Sequence, residues 1–222
     1  MTTLFCGYDL RESVGFHVFV ASVIRHASAP VKICALASCM LPEGSNAFTF
    51  SRFLVPHVMG FKGMAIFADA SDMLMLGDVV ELAALFDPTK AVQVVQHQYR
   101  TRHPMKYEGT YMRCHNRDYP RKNWASLMLI NCEHEAWSTM TPERVQALCE
   151  APSVLLGLKF IPDDAIGVLP DKWNRMIDEG QPVEGAALLH WTAGIPAFKH
   201  YHNAPGASVW RAYRDAMQGV DV

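Results

Sequence analysis

The sequence Met64-Ala65-Ile66-Phe67-Ala68-Asp69-Ala70-Ser71-Asp72-Met73 joins a short apolar run to two carboxylates. The run over 64–68 is typical of a strand buried in a sheet. Ligands of open α/β sheets bind outside the carboxyl ends of the strands, where Asp69 and Asp72 stand. A pair of carboxylates suits Mg²⁺ or Mn²⁺, which also bind substrate phosphates. The alternative is a pair of solvated loop aspartates, or Asp72 as the cap of a following turn.

The chain opens with alternating strand and helix signals. Residues 4–9 predict a short buried strand that ends in a turn, and 13–26 carry apolar residues at helical spacing. Pro30 ends that helix, and 31–36 predict a second strand. Because a β-α-β order is typical of a parallel, doubly wound sheet, we expect an α/β fold with a mostly parallel central sheet.

The later elements follow at short intervals. In chain order we expect a helix over 48–59 that Pro56 bends or shortens, a helix over 79–86, strands over 91–95 and 126–131, a helix that starts at Thr141 and Pro142, a strand over 187–190 and a helix over 208–217. No repeat or linker divides the sequence, so we expect one domain spanning 1–222.

Residues 97–123 are rich in His, Arg, Lys and Tyr and poor in aliphatic side chains. A long polar loop inside a compact domain is usually functional or disordered. Such a loop could close over a diphosphate and neutralise the charge of a leaving group, or it could simply be exposed and solvated. Its basic and aromatic members are Arg100, Arg102, His103, Lys106, Tyr107, Arg113, Arg121 and Lys122.

Two further polar positions are candidates for chemistry. His190 ends the strand over 187–190, and a neutral imidazole at a strand end can complete a carboxylate metal site. Asp163 and Asp164 follow a hydrophobic segment and could bind sugar hydroxyls or act in acid/base catalysis. Each position has a structural alternative. His190 could be a hydrogen-bonded core histidine, and Asp163 could cap a short helix.

Composition excludes several classes of protein. The formal net charge is -2, so no basic field favours nucleic acid or an anionic membrane. No stretch approaches the roughly 20 apolar residues of a membrane span, and charged residues interrupt 1–12 before a signal peptide could form. The cysteines contain no CxxC pair, so we expect reduced, buried thiols in a soluble cytoplasmic protein. They are Cys6, Cys34, Cys39, Cys114, Cys132 and Cys149.

Taken in order, these segments resemble the GT-A glycosyltransferases, and among them glycosyltransferase family 8. The matching segments are 5–9 with the first strand and uridine-contacting turn, 51–56 with an arginine-bearing helix, 62–79 with the metal-holding stretch, 123–131 with the acceptor-side strand, 163–166 with an acidic segment, and 189–196 with the late histidine segment. Six segments in the family's order span nearly the whole chain.

The resemblance implies a Rossmann-like GT-A fold and transfer of a sugar from a nucleoside-diphosphate sugar, with a UDP-sugar favoured, to an acceptor hydroxyl of a glycan or another molecule. It implies retention of anomeric configuration and a Mn²⁺ or Mg²⁺ cofactor. The implied roles are Asp69, Asp72 and His190 as metal ligands, Tyr8, Asp9, Arg52 and Asp69 as nucleotide contacts, and Asp163 and Asp164 as catalytic acids. Lys106 is expected near the phosphates because it lies in the basic loop.

The chain departs from the family pattern in three places. The usual Asp-x-Asp is Asp-x-x-Asp here, so Asp69 contacts either the metal or the ribose. Trp124 and Ala125 stand where the family has Asn-x-Gly, so we expect a different acceptor contact. Lys199 is displaced from the position of the late lysine, which weakens its expected contact with the diphosphate.

Two other functions fit parts of the sequence. A nucleotidyltransferase would share the sheet and the metal site, but no glycine-rich, basic phosphate-binding signature follows the first strand. A binding module that keeps the fold without activity would explain the altered aspartate spacing.

Overall fold

The computed structural model describes residues 1–37, 41–42 and 44–217. Its strands, in chain order, are β1 (Thr2–Gly7), β2 (Val31–Leu36), β3 (Met64–Ala68), β4 (Met73–Met75), β5 (Val92–Val94), β6 (Met105–Lys106), β7 (Cys114–His115), β8 (Leu127–Asn131), β9 (Ile166–Val168), β10 (Arg175–Met176) and β11 (Leu188–His190). Its α-helices are α1 (Ser13–His26), α2 (Val55–Val58), α3 (Val79–Ala83), α4 (Pro142–Leu148), α5 (Pro152–Leu156) and α6 (Ala207–Met217).

The central sheet has the strand order β2-β1-β3-β8-β5-β9. The pairs β1–β2, β1–β3 and β5–β9 are parallel, and β8 runs antiparallel to both of its neighbours, β3 and β5. The expected α/β fold with a mostly parallel sheet is therefore confirmed, and β8 makes the sheet mixed. Helix α1 connects β1 to β2, as the β-α-β opening predicts.

Alternation along the strands gives the sheet two buried faces. Leu4 of β1 and Ile66 of β3 pack with α1 on one face. Phe5 and Phe67, which follow them in the two strands, pack on the other face against the aromatic residues of 48–53. Since successive side chains of a strand point to opposite faces, nearly continuous apolar strands are what a sheet covered on both sides requires.

The segment 48–59 differs from the single helix expected. It contains a 3₁₀ helix (Ser51–Leu54) and then the single turn of α2, in which Pro56 occupies the first turn. Proline lacks the N–H that a helix interior needs, but the first turn leaves that group unpaired in any case. Pro56 therefore helps to start α2 and does not bend a longer helix.

A small second sheet with the order β10-β11-β4 lies beside the main one. Its strand β4 begins just after Asp72, and β11 ends at His190. The polar segment 97–123 contains a short hairpin, β6–β7, in place of the unstructured loop expected.

The described cysteines match the expected reduced, buried thiols only in part. Cys6, Cys34, Cys114, Cys132 and Cys149 are free, and three of them are buried. Cys39 lies outside the described residues. Over the described ranges, no helix is both long and apolar enough to cross a membrane.

Candidate metal centre

The turn between β3 and β4 places the two aspartates. The backbone N–H of Asp69 donates to the carbonyl of Ser126, at 2.9 Å, so the chain leaves β3 still tied to the sheet. Ala70 then takes a left-handed conformation (φ 64°), and the N–H of Ser71 turns back to the carbonyl of Asp69, at 2.7 Å. This tight turn brings Asp72 close to Asp69 despite the extra residue of the Asp-x-x-Asp spacing.

Gly15 allows α1 to pack directly on this turn. A Cβ atom at this position would lie 1.9 Å from the carbonyl oxygen of Ser71, which no side chain tolerates. The hydroxyl of Ser71 also faces the carbonyl of Gly7 at the end of β1, at 3.4 Å. The turn is therefore held by the first strand and the first helix together.

His190 reaches the aspartates through the small sheet. In the antiparallel pair β11–β4, His190 lies opposite Met73, and the N–H of Trp191 donates to the carbonyl of Asp72, at 2.8 Å. The ring Nε2 of His190 lies 3.4 Å from Oδ2 of Asp72. Strand pairing thus joins a late residue of the chain to the turn after β3.

Asn174 contacts the ring nitrogen of His190 that faces away from Asp72. Its Oδ1 lies 3.0 Å from Nδ1 of His190, and its Nδ2 donates to the hydroxyl of Ser126, at 2.9 Å. Asn174 is fully buried. An acceptor at Nδ1 assigns the proton of a neutral ring to that nitrogen, which leaves the lone pair of Nε2 facing Asp72. Outer partners of this kind orient histidines that bind metals.

Asp69, Asp72 and His190 form one compact group of possible ligands. One atom from each lies within 4.8 Å of the others, and all three side chains are buried. Among the described residues, Oδ1 of Asp72 has no hydrogen-bond partner. Because a buried charge needs an ion pair or a metal, this oxygen fits a cation bound between the three side chains. The carboxylates suit Mg²⁺ and Mn²⁺, and the imidazole favours Mn²⁺ over Mg²⁺.

The electrostatics of the cluster follow from burial and from two close charge contacts. Nη1 of Arg52 lies 2.6 Å from Oδ1 of Asp69, without hydrogen-bond geometry. Burial raises the pKa of Asp69 to about 6, although Arg52 acts in the opposite direction. Burial also acts to raise the pKa of Asp72, but His190 outweighs it and holds that pKa below its ordinary value. The pKa of His190 is raised in turn, because the carboxylate of Asp72 outweighs the effect of burial.

Arg52 is held from several sides. Its Nε donates to the carbonyl of Thr49 and its Nη1 to that of Ala125, both at 2.9 Å. The guanidinium also lies over the rings of Phe48 and Phe67. Arg52 is therefore a fixed cation beside Asp69.

Two connected cavities lead to Asp69. The inner one, of about 50 Å³, is lined by Arg52, Asp69, Lys106 and Asn123. The outer cleft, of about 370 Å³, shares Lys106 and Asn123 with it and extends to Lys122. Lys106 lines both cavities, and its expected contact with phosphates stays a prediction.

Tyr8 and Asp9, the expected nucleotide contacts, directly follow β1. Tyr8 is half-buried, with its ring edge-on to Phe16 at 5.1 Å. The carboxylate of Asp9 accepts bonds from the backbone and guanidinium of Arg11 and from the N–H of Ala47, at 2.8 Å. These bonds keep the pKa of Asp9 low, despite the opposing effect of burial. Asp9 therefore fixes the turn after β1 and the loop at Ala47.

Asp163 and Asp164 are not brought to the cluster. Ile166, which follows them, is in register through β5 and β8 with Ala65 at the start of β3. The acid pair consequently lies at the edge of the sheet opposite the one where Asp69 follows β3. Both residues are exposed, and Asp163 forms an ion pair with Arg121, at 2.6 Å. This placement corrects the expectation that they stand beside the reacting groups.

Two residues of the site were not singled out from the sequence. Asn174 positions His190, and Glu12 is buried beside the acidic cluster, next to Tyr107 of the polar segment. Glu12 had one usable signal, because it is an acidic residue in the loop after the carboxyl end of a strand. The contacts of Asn174 and Tyr107 depend on segments distant in the chain, which local spacing does not reveal.

Comparison with other proteins agrees with this architecture. The chain is 32% identical over 223 aligned residues to "Protein CDI" of Arabidopsis thaliana, an alignment that covers 93% of this chain and 83% of that protein. No family model matches the sequence.

Solved structures show the same fold at low sequence identity. The glycosyltransferase GlyE of Streptococcus pneumoniae TIGR4 aligns with a TM-score of 0.67 and 17% identity, over 96% of this chain and 60% of that chain. The chain thus spans about three fifths of that protein. The galactosyltransferase LgtC, solved with donor and acceptor sugar analogs, aligns with a TM-score of 0.65 and 14% identity, over 97% of this chain and 96% of that one. The resemblance to GT-A glycosyltransferases is therefore confirmed at the level of the fold.

Proposed function

The chain belongs to the same family as Protein CDI of Arabidopsis thaliana and has the GT-A fold, and we propose that it is a metal-dependent glycosyltransferase. It transfers a sugar from a nucleoside-diphosphate sugar to an acceptor hydroxyl. We take 1–222 to act as one catalytic domain.

The observation that carries this proposal is the buried group Asp69, Asp72 and His190 at the carboxyl edge of the sheet. Ligands of open α/β folds bind at this edge. The unpartnered Oδ1 of Asp72 marks a position for a cation inside the group. A compact cluster built from two distant segments of the chain supports a site for Mn²⁺ or Mg²⁺.

In this proposal Asp72 and His190 bind the metal, and Asn174 keeps the imidazole in the tautomer that can do so. When bound, the metal acts as a Lewis acid on the diphosphate of the donor and stabilises it as a leaving group. Asp69 faces both the metal group and the inner cavity, so it serves the metal and the donor together. Arg52 fixes the orientation of Asp69.

The donor occupies the cleft. A volume of about 370 Å³ lies within the range of small-molecule sites, and Lys106 at its inner end offers a positive charge to phosphates. The inner cavity, with Arg52, Asp69 and Asn123, offers polar groups for sugar hydroxyls. We take the donor to be a UDP-sugar and the outcome to be retention, both on the family resemblance. The acceptor is a hydroxyl of a glycan or another molecule.

Thermal stabilisation by nucleotides tests the proposal. UDP, GDP and CMP are added with and without Mn²⁺, and we expect a nucleoside diphosphate to raise the melting temperature only when Mn²⁺ is present. Asp72→Asn should abolish the Mn²⁺-dependent shift, whereas Asp87→Asn, a matched change on the surface, should keep it. A panel of nucleotide-sugars assayed for hydrolysis then identifies the donor.

Three results would contradict the proposal. A shift with a nucleoside triphosphate alone favours a nucleotidyltransferase. The absence of any shift favours a binding module without activity. If the Asp72→Asn protein responds to Mn²⁺ like the parent, Asp72 does not bind the metal.

A further inference from the structure

Glu12 is a buried acid that the proposed reaction leaves without a role. It lies in the loop between β1 and α1 with 1% of its surface exposed. Its Oε2 accepts only a long bond from the hydroxyl of Tyr107, at 3.5 Å. Its Oε1 has no hydrogen-bond partner among residues 1–37, 41–42 and 44–217. A buried carboxylate in this state is costly unless something else satisfies it.

Capping of α1 does not explain this side chain. Glu12 is the N-cap residue of α1, but its carboxylate makes no capping hydrogen bond. An acid kept at a helix start for local stability would accept from the free N–H groups of the first turn. The carboxylate of Glu12 is directed elsewhere.

Each of the neighbouring carboxylates lies against a basic side chain, whereas Glu12 does not contact one among the described residues. Arg11 pairs with Asp9 at 2.5 Å, Arg52 with Asp69 at 2.6 Å, and His190 with Asp72 at 3.4 Å. Within the described part of the chain, no basic group lies in ion-pair contact with Glu12.

Nearby charges act on Glu12 in addition to burial. Burial raises the pKa of Glu12 well above its ordinary value, followed by repulsion from Asp72 and, more weakly, from Asp9 and Asp69, while Lys106 acts in the opposite direction. Geometry places Glu12 beside the same turn, because Gly15, about one helical turn further along α1, packs against the carbonyl of Ser71 between the two aspartates. An added positive charge between Glu12 and Asp72 would satisfy both unpartnered oxygens.

We propose that Glu12 is an outer carboxylate of the metal centre, which binds the cation through one of its water ligands. Glu12 is outside the group whose ligand atoms lie within 4.8 Å of one another, so it does not join the direct ligands. Mg²⁺ and its analogues keep several waters when few carboxylates bind them. A metal-bound water donates to Oε1, and the charge of Glu12 raises the affinity of the site. This inference rests on the proposed metal site.

The test is a Mn²⁺ titration of the full chain without nucleotide, followed by the electron paramagnetic resonance signal of free Mn²⁺. Loss of an outer partner typically weakens metal binding 10–100-fold, and we expect roughly this loss for Glu12→Gln. Glu81→Gln, the same change on the exposed face of α3, should bind Mn²⁺ like the parent. Glu12→Asp retains the charge and should bind more tightly than Glu12→Gln.

Melting temperature without metal separates this role from a structural one. Because Oε1 has no hydrogen-bond partner among the described residues, Glu12→Gln should melt at or above the parent temperature. A Glu12→Gln protein that does not fold, one that binds Mn²⁺ as tightly as the parent, or a Glu12→Asp protein no better than Glu12→Gln overturns the inference. If the parent protein binds Mn²⁺ but turns over no nucleotide-sugar, the proposed function is wrong, but the role of Glu12 in metal binding can still hold. If the parent protein binds no Mn²⁺, both the proposed function and the role of Glu12 are wrong.

Discussion

Nδ1 of His190 lies 3.0 Å from Oδ1 of the fully buried Asn174, and this contact turns the other ring nitrogen toward Asp72. The two residues lie on neighbouring parts of the small sheet, Asn174 just before β10 and His190 at the end of β11. The orientation of the imidazole is therefore decided by the fold before any ligand arrives.

Replacing Asn174 by Ala removes that acceptor. We expect Mn²⁺ affinity to fall roughly 10–100-fold, because the imidazole loses its fixed orientation. We also expect a loss of about 1–3 kcal/mol in the free energy of unfolding, because a buried ring N–H is left unpaired. Ser126→Ala removes the other bond of the same amide and leaves the contact with His190, so its Mn²⁺ affinity should stay near that of the parent. Equal losses in both variants would contradict the orienting role.

Asp163→Asn and Asp164→Asn test the position of the acid pair. Both side chains are exposed at the opposite edge of the sheet, so each variant should retain parent-like turnover of the donor. Loss of the exposed pair with Arg121 should change stability by less than about 1 kcal/mol. A fall in turnover of about 100-fold, or about 2.7 kcal/mol, would instead return these acids to the reaction.

We expect the buried His97 to lower the free energy of unfolding in acid. Burial, with a smaller contribution from His190, lowers its pKa from 6.5 to about 3. Between these values the unfolded chain binds a proton that the folded chain does not, so stability falls as the pH drops below 6.5, by at most about 1.4 kcal/mol per pH unit. In urea unfolding at pH 7.5 and pH 5, the free energy of unfolding should fall less between the two pH values in His97→Gln than in the parent. Identical pH effects would show that His97 does not titrate in this way.

Residues 105–115, here called the strap, include Lys106, which lines the inner cavity, and we expect access to the group of Asp69, Asp72 and His190 to require their movement. The inner cavity of about 50 Å³ is smaller than the range of small-molecule sites, and the metal group is buried. We expect strap amides to exchange hydrogen faster than those of β8, and to become protected when UDP and Mn²⁺ are added together. Amides of β8 serve as the internal control, since they lie in the middle of the sheet. Unchanged strap exchange would mean that ligands enter by another route.

Local signals predicted the elements nearest the site. Residues 64–68 and 13–26 match β3 and α1, because a continuous apolar run and a helical spacing are properties of a few adjacent residues. Thr141 and Pro142 start α4 as expected, with the Thr141 hydroxyl accepting from Arg144. Asp69, Asp72 and His190 were also found by their position after buried strands.

Other features depended on pairing between distant segments. The apolar run over 127–131 is compatible with a parallel and with an antiparallel strand, so the sequence did not predict the direction of β8. The expected place of Asp163 and Asp164 was wrong for a related reason. The pairing of β9 with β5 decides which edge of the sheet these two residues occupy, and the local sequence around them does not reveal that pairing.

The N–H of Tyr107 in the strap donates to the carbonyl of Ala193, at 2.7 Å, just beyond His190. The segment that follows His190, a proposed metal ligand, thus also anchors the strap. Under thermodynamic linkage, an ion that favours the closed strap by some factor is itself held more tightly by closure, by the same factor. We therefore expect the supply of metal to govern how firmly a donor is enclosed, as well as whether it reacts.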